Sequence, residues 1–136
     1  MIRNNFGLEI EKAEDGQFAV EKYTEAFNKE CKCNLRAYRL IIMDLGMPRM
    51  DGKEASKQII NLCKHEPELT QIVVLTSFTN KKIVDECFAI GVKQVYFKPM
   101  NFDNLAEVME ENYFREQEAW IIIIIVYVQI NFNLFY

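Results

Sequence analysis

What this chain lacks narrows its chemistry before any motif is read. Its 16 basic residues are outnumbered by 20 acidic ones, for a formal net charge of -4, and no Lys/Arg cluster stands out. A broad basic face for neutralising nucleic-acid phosphates is therefore excluded, and no nucleic acid is expected as a partner. Cysteine is sparse and badly spaced for a metal. Cys31 and Cys33 lie one position short of a C-x-x-C pair, and no histidine or second close pair completes a zinc set. The amino terminus has no signal-peptide pattern, which predicts reduced thiols and a cytoplasmic protein. Gly/Ser linkers and internal repeats are absent, and 136 residues suit one domain.

The elements that are present alternate. Residues 8–13 read as a short strand closed by Asp15-Gly16, and Ala19, Val20, Tyr23, Ala26 and Phe27 then recur at helical spacing, predicting a helix over 17–31. A polar loop over 28–39 leads into Leu40-Ile-Ile-Met43, a continuous apolar strand of the kind found where both faces of a parallel sheet are covered. Ala55, Ile59, Leu62 and Cys63 mark the next helix, ending near His65 with Pro67 beyond it. A second buried strand spans 72–75. A helical stripe through Ile83, Val84, Cys87 and Ile90 is capped by Gly91, and a third apolar strand spans 95–97. Phe102, Leu105, Met109 and Tyr113 mark a last helix. The pattern is α/β with a mostly parallel sheet and helices on both faces.

The carboxyl end breaks this composition. Residues 120–128 are nine consecutive apolar residues, five of them isoleucine at 121–125, and Gln129, Asn131 and Asn133 interrupt the remaining apolar residues. A membrane helix needs about twenty apolar residues, so a membrane-spanning role is not expected. The β-branched density favours an extended strand, which would be prone to aggregate if exposed. Three readings stay open: an added strand packed on the domain, a weak membrane anchor, or a translated non-coding segment rich in residues with AT-rich codons.

Three polar residues end three successive strands: Asp44, Thr76 and Lys98. In a parallel sheet those ends share one edge, where open α/β sheets place their chemistry. A carboxylate there can attack phosphorus, while a hydroxyl and an ammonium hold the phosphoryl oxygens. Singly, each has a plainer role, as a helix cap, a structural hydroxyl or a surface charge. The convergence is what points to phosphoryl transfer.

Asp44-x-x-Met47-Pro48-x-Met50-Asp51-Gly52, Leu75-Thr76-Ser77-Phe78-Thr79 and Lys98-Pro99, with Ala13-Glu-Asp-Gly-Gln17 before them, resemble the receiver domain of two-component response regulators over residues 8–116. The resemblance implies a flavodoxin-like sheet of order 2-1-3-4-5 and divides the chain into a receiver over 1–116, truncated at its amino end, and a hydrophobic tail over 117–136. It implies that Asp44 is the phosphoacceptor for a phosphohistidine on a histidine kinase or phosphotransfer protein, with Thr76 and Lys98 on the aspartyl phosphate. Asp44 and the Gly46 backbone carbonyl would be ligands of Mg2+. Lys98-Pro99 is expected to be cis.

Two positions depart from the family's pattern. A receiver opens with a hydrophobic strand ending in two acids that complete the magnesium site, whereas residues 1–7 contain no acid. Glu14 and Asp15 belong to the turn after the second strand. A central strand with five buried apolar side chains contributes about 8–15 kcal/mol, comparable to the whole net stability of a domain. The chain is thus expected to be a fragment or to fill the gap otherwise, and residues 121–128 are the segment available. The second departure is Val95 at the often aromatic switch position, with Tyr96 expected to pack a helix instead. His65, at a helix end beside Pro67, reads as a surface residue.

The expected function is phosphorelay signalling by a non-enzymatic receiver, stand-alone or part of a hybrid kinase. The alternative is a degenerate receiver that acts only as a protein-interaction module. An aspartyl-phosphate phosphatase is more remote, since Gly46 stands where such enzymes carry their second acid.

Overall fold

The computed structural model describes residues 2–3, 9–28, 38–113 and 122–126. Its ten elements, in chain order, are β1 (Ile2–Arg3), β2 (Glu9–Ala13), α1 (Gly16–Asn28), β3 (Leu40–Asp44), α2 (Gly52–Leu62), β4 (Gln71–Thr76), α3 (Lys81–Ile90), β5 (Gln94–Phe97), α4 (Phe102–Tyr113) and β6 (Ile122–Val126). Cys31, Cys33, the end expected for the first helix and most of the loop after it lie outside the described residues, as do Trp120, Ile121, Tyr127 and Val128.

The six strands form one sheet in the order β1-β2-β6-β3-β4-β5. β6 comes last in the chain but lies between β2 and β3, parallel to both. Ile122 to Val126 pair with Glu9 to Ala13 on one side, and Ile123 to Val126 pair with Leu40 to Met43 on the other. This is the position that a 2-1-3-4-5 sheet gives its first strand, so the gap is filled from the carboxyl end. β1, two residues long and antiparallel to β2, adds an outer edge that the sequence does not announce.

The strands are buried as a doubly covered sheet requires. Leu40 through Met43 are at most 2% exposed, and Ile72 through Leu75 likewise. Side chains alternate across a strand. Ile41 and Met43 of β3 and Ile72 and Val74 of β4 accordingly join Ala19 and Tyr23 of α1, Ala55 and Ile59 of α2 and Cys87 of α3 in one cluster. Leu40, Ile42, Val73 and Leu75 face the other way and are equally buried, as is Val108 of α4.

Local signals set the helix ends. Asp51 caps α2 by accepting from Glu54 N–H at 2.8 Å, and Asn80 caps α3 by accepting from Lys82 N–H at 2.8 Å. Gly91 closes α3 in the left-handed region, φ 113°, as its place in the sequence predicts. One expectation needs correction. Leu62 is exposed rather than part of the buried face of α2, which runs through Ala55, Ser56 and Ile59 to Cys63. β5 is only half-buried because it is an edge strand with one neighbour.

Candidate phosphoacceptor site

β3 delivers Asp44 to the sheet edge almost fully buried, at 2% exposed. Both carboxylate oxygens are engaged. Oδ1 accepts the Gly46 N–H at 2.9 Å, and Oδ2 is paired with the ammonium of Lys98. The loop from Leu45 to Asp51 folds back on the strand: Gly52 N–H donates to Leu45 O at 3.3 Å. A Cβ on Gly52 would stand 2.1 Å from Asp44 O, so only glycine lets the start of α2 lie against β3.

Lys98 arrives from β5 through the hydrogen bond of its N–H to Thr76 O, 2.8 Å, and the Lys98-Pro99 peptide is cis as expected. Thr76 ends β4 fully buried, with its Oγ1 accepting the Phe78 N–H at 2.9 Å. The three strand-end residues thus share one edge in register, with Asp44 opposite Leu75 and Thr76 opposite Phe97. Asp44 and Lys98 touch directly. Thr76 is held beside them with its hydroxyl proton uncommitted to Asp44.

Sequence reasoning missed a second pair of charges. Asp15, fully buried after β2, caps α1 by accepting Phe18 N–H at 3.0 Å through Oδ1. Its Oδ2 forms an ion pair with Arg49 Nε, whose N–H is not aligned for a hydrogen bond. Arg49 also stacks on the Phe18 ring, with its guanidinium carbon 4.9 Å from the centroid. Arg49 adopts φ 63° although it is not a glycine. No local pattern in the sequence announces that backbone.

The donor set at this edge fits poorly the Mg2+ that the resemblance implies. Among the described residues no three His, Cys, Asp or Glu side chains converge as metal ligands. Asp15 is committed to its helix cap and to Arg49, and Asp44 is shared with an ammonium. Neither residues 1–8 nor residues 127–136, which come after β6, contain an Asp or Glu. A hard divalent cation binds through carboxylates, and one carboxylate already neutralised by lysine is a poor site for it.

Elsewhere, Tyr96 is half-buried and donates to Gln94 Oε1 at 3.3 Å. Burial first, then the charges of Glu107 and Glu111 on α4, raise its phenol above the ordinary range. His65 is exposed. No helix among the described residues is long and apolar enough to cross a membrane.

The family model for the response regulator receiver domain matches residues 1–110. Chemotaxis protein CheY of Bacillus subtilis is 28% identical over 111 residues, covering 82% of this chain and 80% of its own length. The osmosensing histidine protein kinase SLN1 of Saccharomyces cerevisiae is 32% identical over 106 residues, 77% of this chain but only 8% of the kinase. Among solved structures, the receiver domain of the Arabidopsis thaliana histidine kinase CKI1, complexed with Mg2+, superposes with a TM-score of 0.58 at 27% identity, covering 71% of this chain and 68% of that one.

Proposed function

This chain belongs to the response regulator receiver domain family, and on that premise we propose that Asp44 accepts a phosphoryl group from a phosphohistidine on a histidine kinase or phosphotransfer protein. The observation that carries the reading is the Asp44–Lys98 pair at the edge of the sheet, with the buried Thr76 hydroxyl beside it. An Asp44 oxygen attacks phosphorus in line. The new O–P bond forms as the P–N bond breaks, and its electron pair returns to the imidazole. Lys98 already neutralises the attacking carboxylate, and in the product its ammonium faces the phosphoryl oxygens. In this reading the Thr76 hydroxyl donates to one of them, and the Gly46 N–H holds Asp44 Oδ1.

No step runs through Mg2+, because the residues at the edge make a poor site for it. Charge compensation falls to Lys98. Intact-mass analysis after incubation with acetyl phosphate checks this directly. We expect one base-labile phosphoryl adduct on the native chain and none on Asp44→Asn. The rate with magnesium should lie within about twofold of the rate with a chelator, since charge compensation by a resident ammonium is independent of added metal.

The second reading is a receiver that takes no phosphate and serves only as a protein-interaction module. The poor fit of the described residues at this edge to a divalent cation favours it. A folded chain that never gains an adduct would establish it over the first. Stand-alone action and membership of a hybrid kinase are both compatible with the relatives, one of which matches over most of its length and one over a small part.

A further inference from the structure

The acceptor loop is gripped from a side that the chemistry at Asp44 does not explain. Arg49 sits at its apex in a left-handed backbone conformation, where a side chain is uncommon and persists only when its surroundings hold it there. The start of α1 holds it. The Arg49 guanidinium pairs with fully buried Asp15 and lies over the Phe18 ring. A Cβ on Gly16 would stand 2.5 Å from Met50 O, so the helix start and the loop are in direct backbone contact. A buried carboxylate is costly unless paired, and Arg49 is the cation that meets Asp15 Oδ2. On its other side the same loop carries the Gly46 N–H that fixes Asp44 Oδ1, and it ends at Gly52, pressed on Asp44 O.

We propose that Arg49 is a positioning residue for Asp44: through Asp15 and Phe18 it holds loop 45–51 against α1, and so holds the acceptor carboxylate oriented for attack. The proposal rests on Asp44 being the phosphoacceptor. It differs from a purely stabilising ion pair in where the effect appears. Losing the pair loosens the loop and slows adduct formation, while the rest of the sheet keeps its protection.

Three variants separate the causes. Arg49→Gly removes the pair but suits the left-handed backbone. Arg49→Lys keeps a cation. Asp15→Asn keeps the capping oxygen and removes the charge. Hydrogen–deuterium exchange is measured over loop 45–51 and over β4, alongside the rate of acetyl phosphate adduct formation. Arg49→Gly and Asp15→Asn should each raise loop exchange about fivefold or more with β4 unchanged, a local opening. Each should slow adduct formation by a similar factor, and the double variant should be no worse than either single one, the mark of one shared interaction. Arg49→Lys should recover at least half of both effects. Native loop exchange in Arg49→Gly, or additive losses in the double variant, would overturn the proposal. Should the native chain form no adduct, the reading of Asp44 fails. The exchange data then still judge the grip on the loop, so the two failures are told apart.

Discussion

At the scale of single residues, the site depends on close approach and charge pairing more than on side chains reaching far. Gly52 is the sharpest case. With Asp44 O only 2.1 Å from where its Cβ would stand, Gly52→Ala must push α2 off β3. We expect a loss of about 1–3 kcal/mol in chemical denaturation, the usual range for overpacking. We also expect slower adduct formation, because the same shift moves Asp44; an alanine variant matching the native chain in both would contradict the packing described. Asp44, Thr76 and Lys98 were legible in the sequence because the end of an apolar strand is a local signal, and three strand ends in a parallel sheet share an edge. Arg49 was not. Its role depends on a backbone conformation and on a partner 34 positions away, Asp15, which reads locally as nothing more than a turn residue.

At the scale of elements, α2 and α3 are tied by an ion pair whose pH dependence can be worked out. Lys53 Nζ lies 2.6 Å from Glu86 Oε2. The hydrogen bond to Lys53, then its charge, lowers the Glu86 carboxyl below the ordinary range, while Glu86 raises Lys53. A depressed carboxylate contributes stability above its unfolded pKa and loses it as pH falls through the folded value. A raised lysine contributes below its unfolded pKa and loses it as pH rises through the folded one. The pair therefore acts between about pH 4.3 and 10.4, the unfolded values for Glu and Lys. Both side chains are well exposed, so the effect is small and screened by salt. Thermal melts should show Glu86→Gln slightly below the native chain at pH 7 and merging with it as the pH falls toward 3; a gap that widens in acid would reverse the assignment. The helices and inner strands themselves were readable from period, caps and the glycine at position 91. The one failure, Leu62, has a physical cause: burial at the end of a helix depends on neighbours that a local pattern cannot register.

At the scale of the whole molecule, the sheet is completed from the wrong end of the chain. β6 has a parallel neighbour on each side, and without it β2 would have no strand joining it to β3. The isoleucine run announced a strand; its place was not readable from the run itself, since five identical residues carry no register or partner information. Only the place that the family pattern gives its first strand pointed to the slot. Proline at the centre of β6 tests the arrangement. Ile124 is paired with Glu11 and with Ile41, and Ile124→Pro removes a ladder donor and clashes in a central strand. The expected cost is about 3 kcal/mol or more, a large share of a stability of ~5–15 kcal/mol. Circular dichroism and denaturant melts should show loss of a cooperative transition or a large drop in midpoint. A proline variant as stable as the native chain would remove β6 from the sheet. Completion of the sheet also bears on function, because Asp44 is presented by β3, which pairs directly with β6. The decisive measurement is intact mass on the folded chain after acetyl phosphate, with and without magnesium. The account predicts a single base-labile phosphoryl adduct, formed in both conditions and absent from Asp44→Asn. A folded chain that gains no adduct, or an adduct that survives the Asp44→Asn substitution, would contradict it.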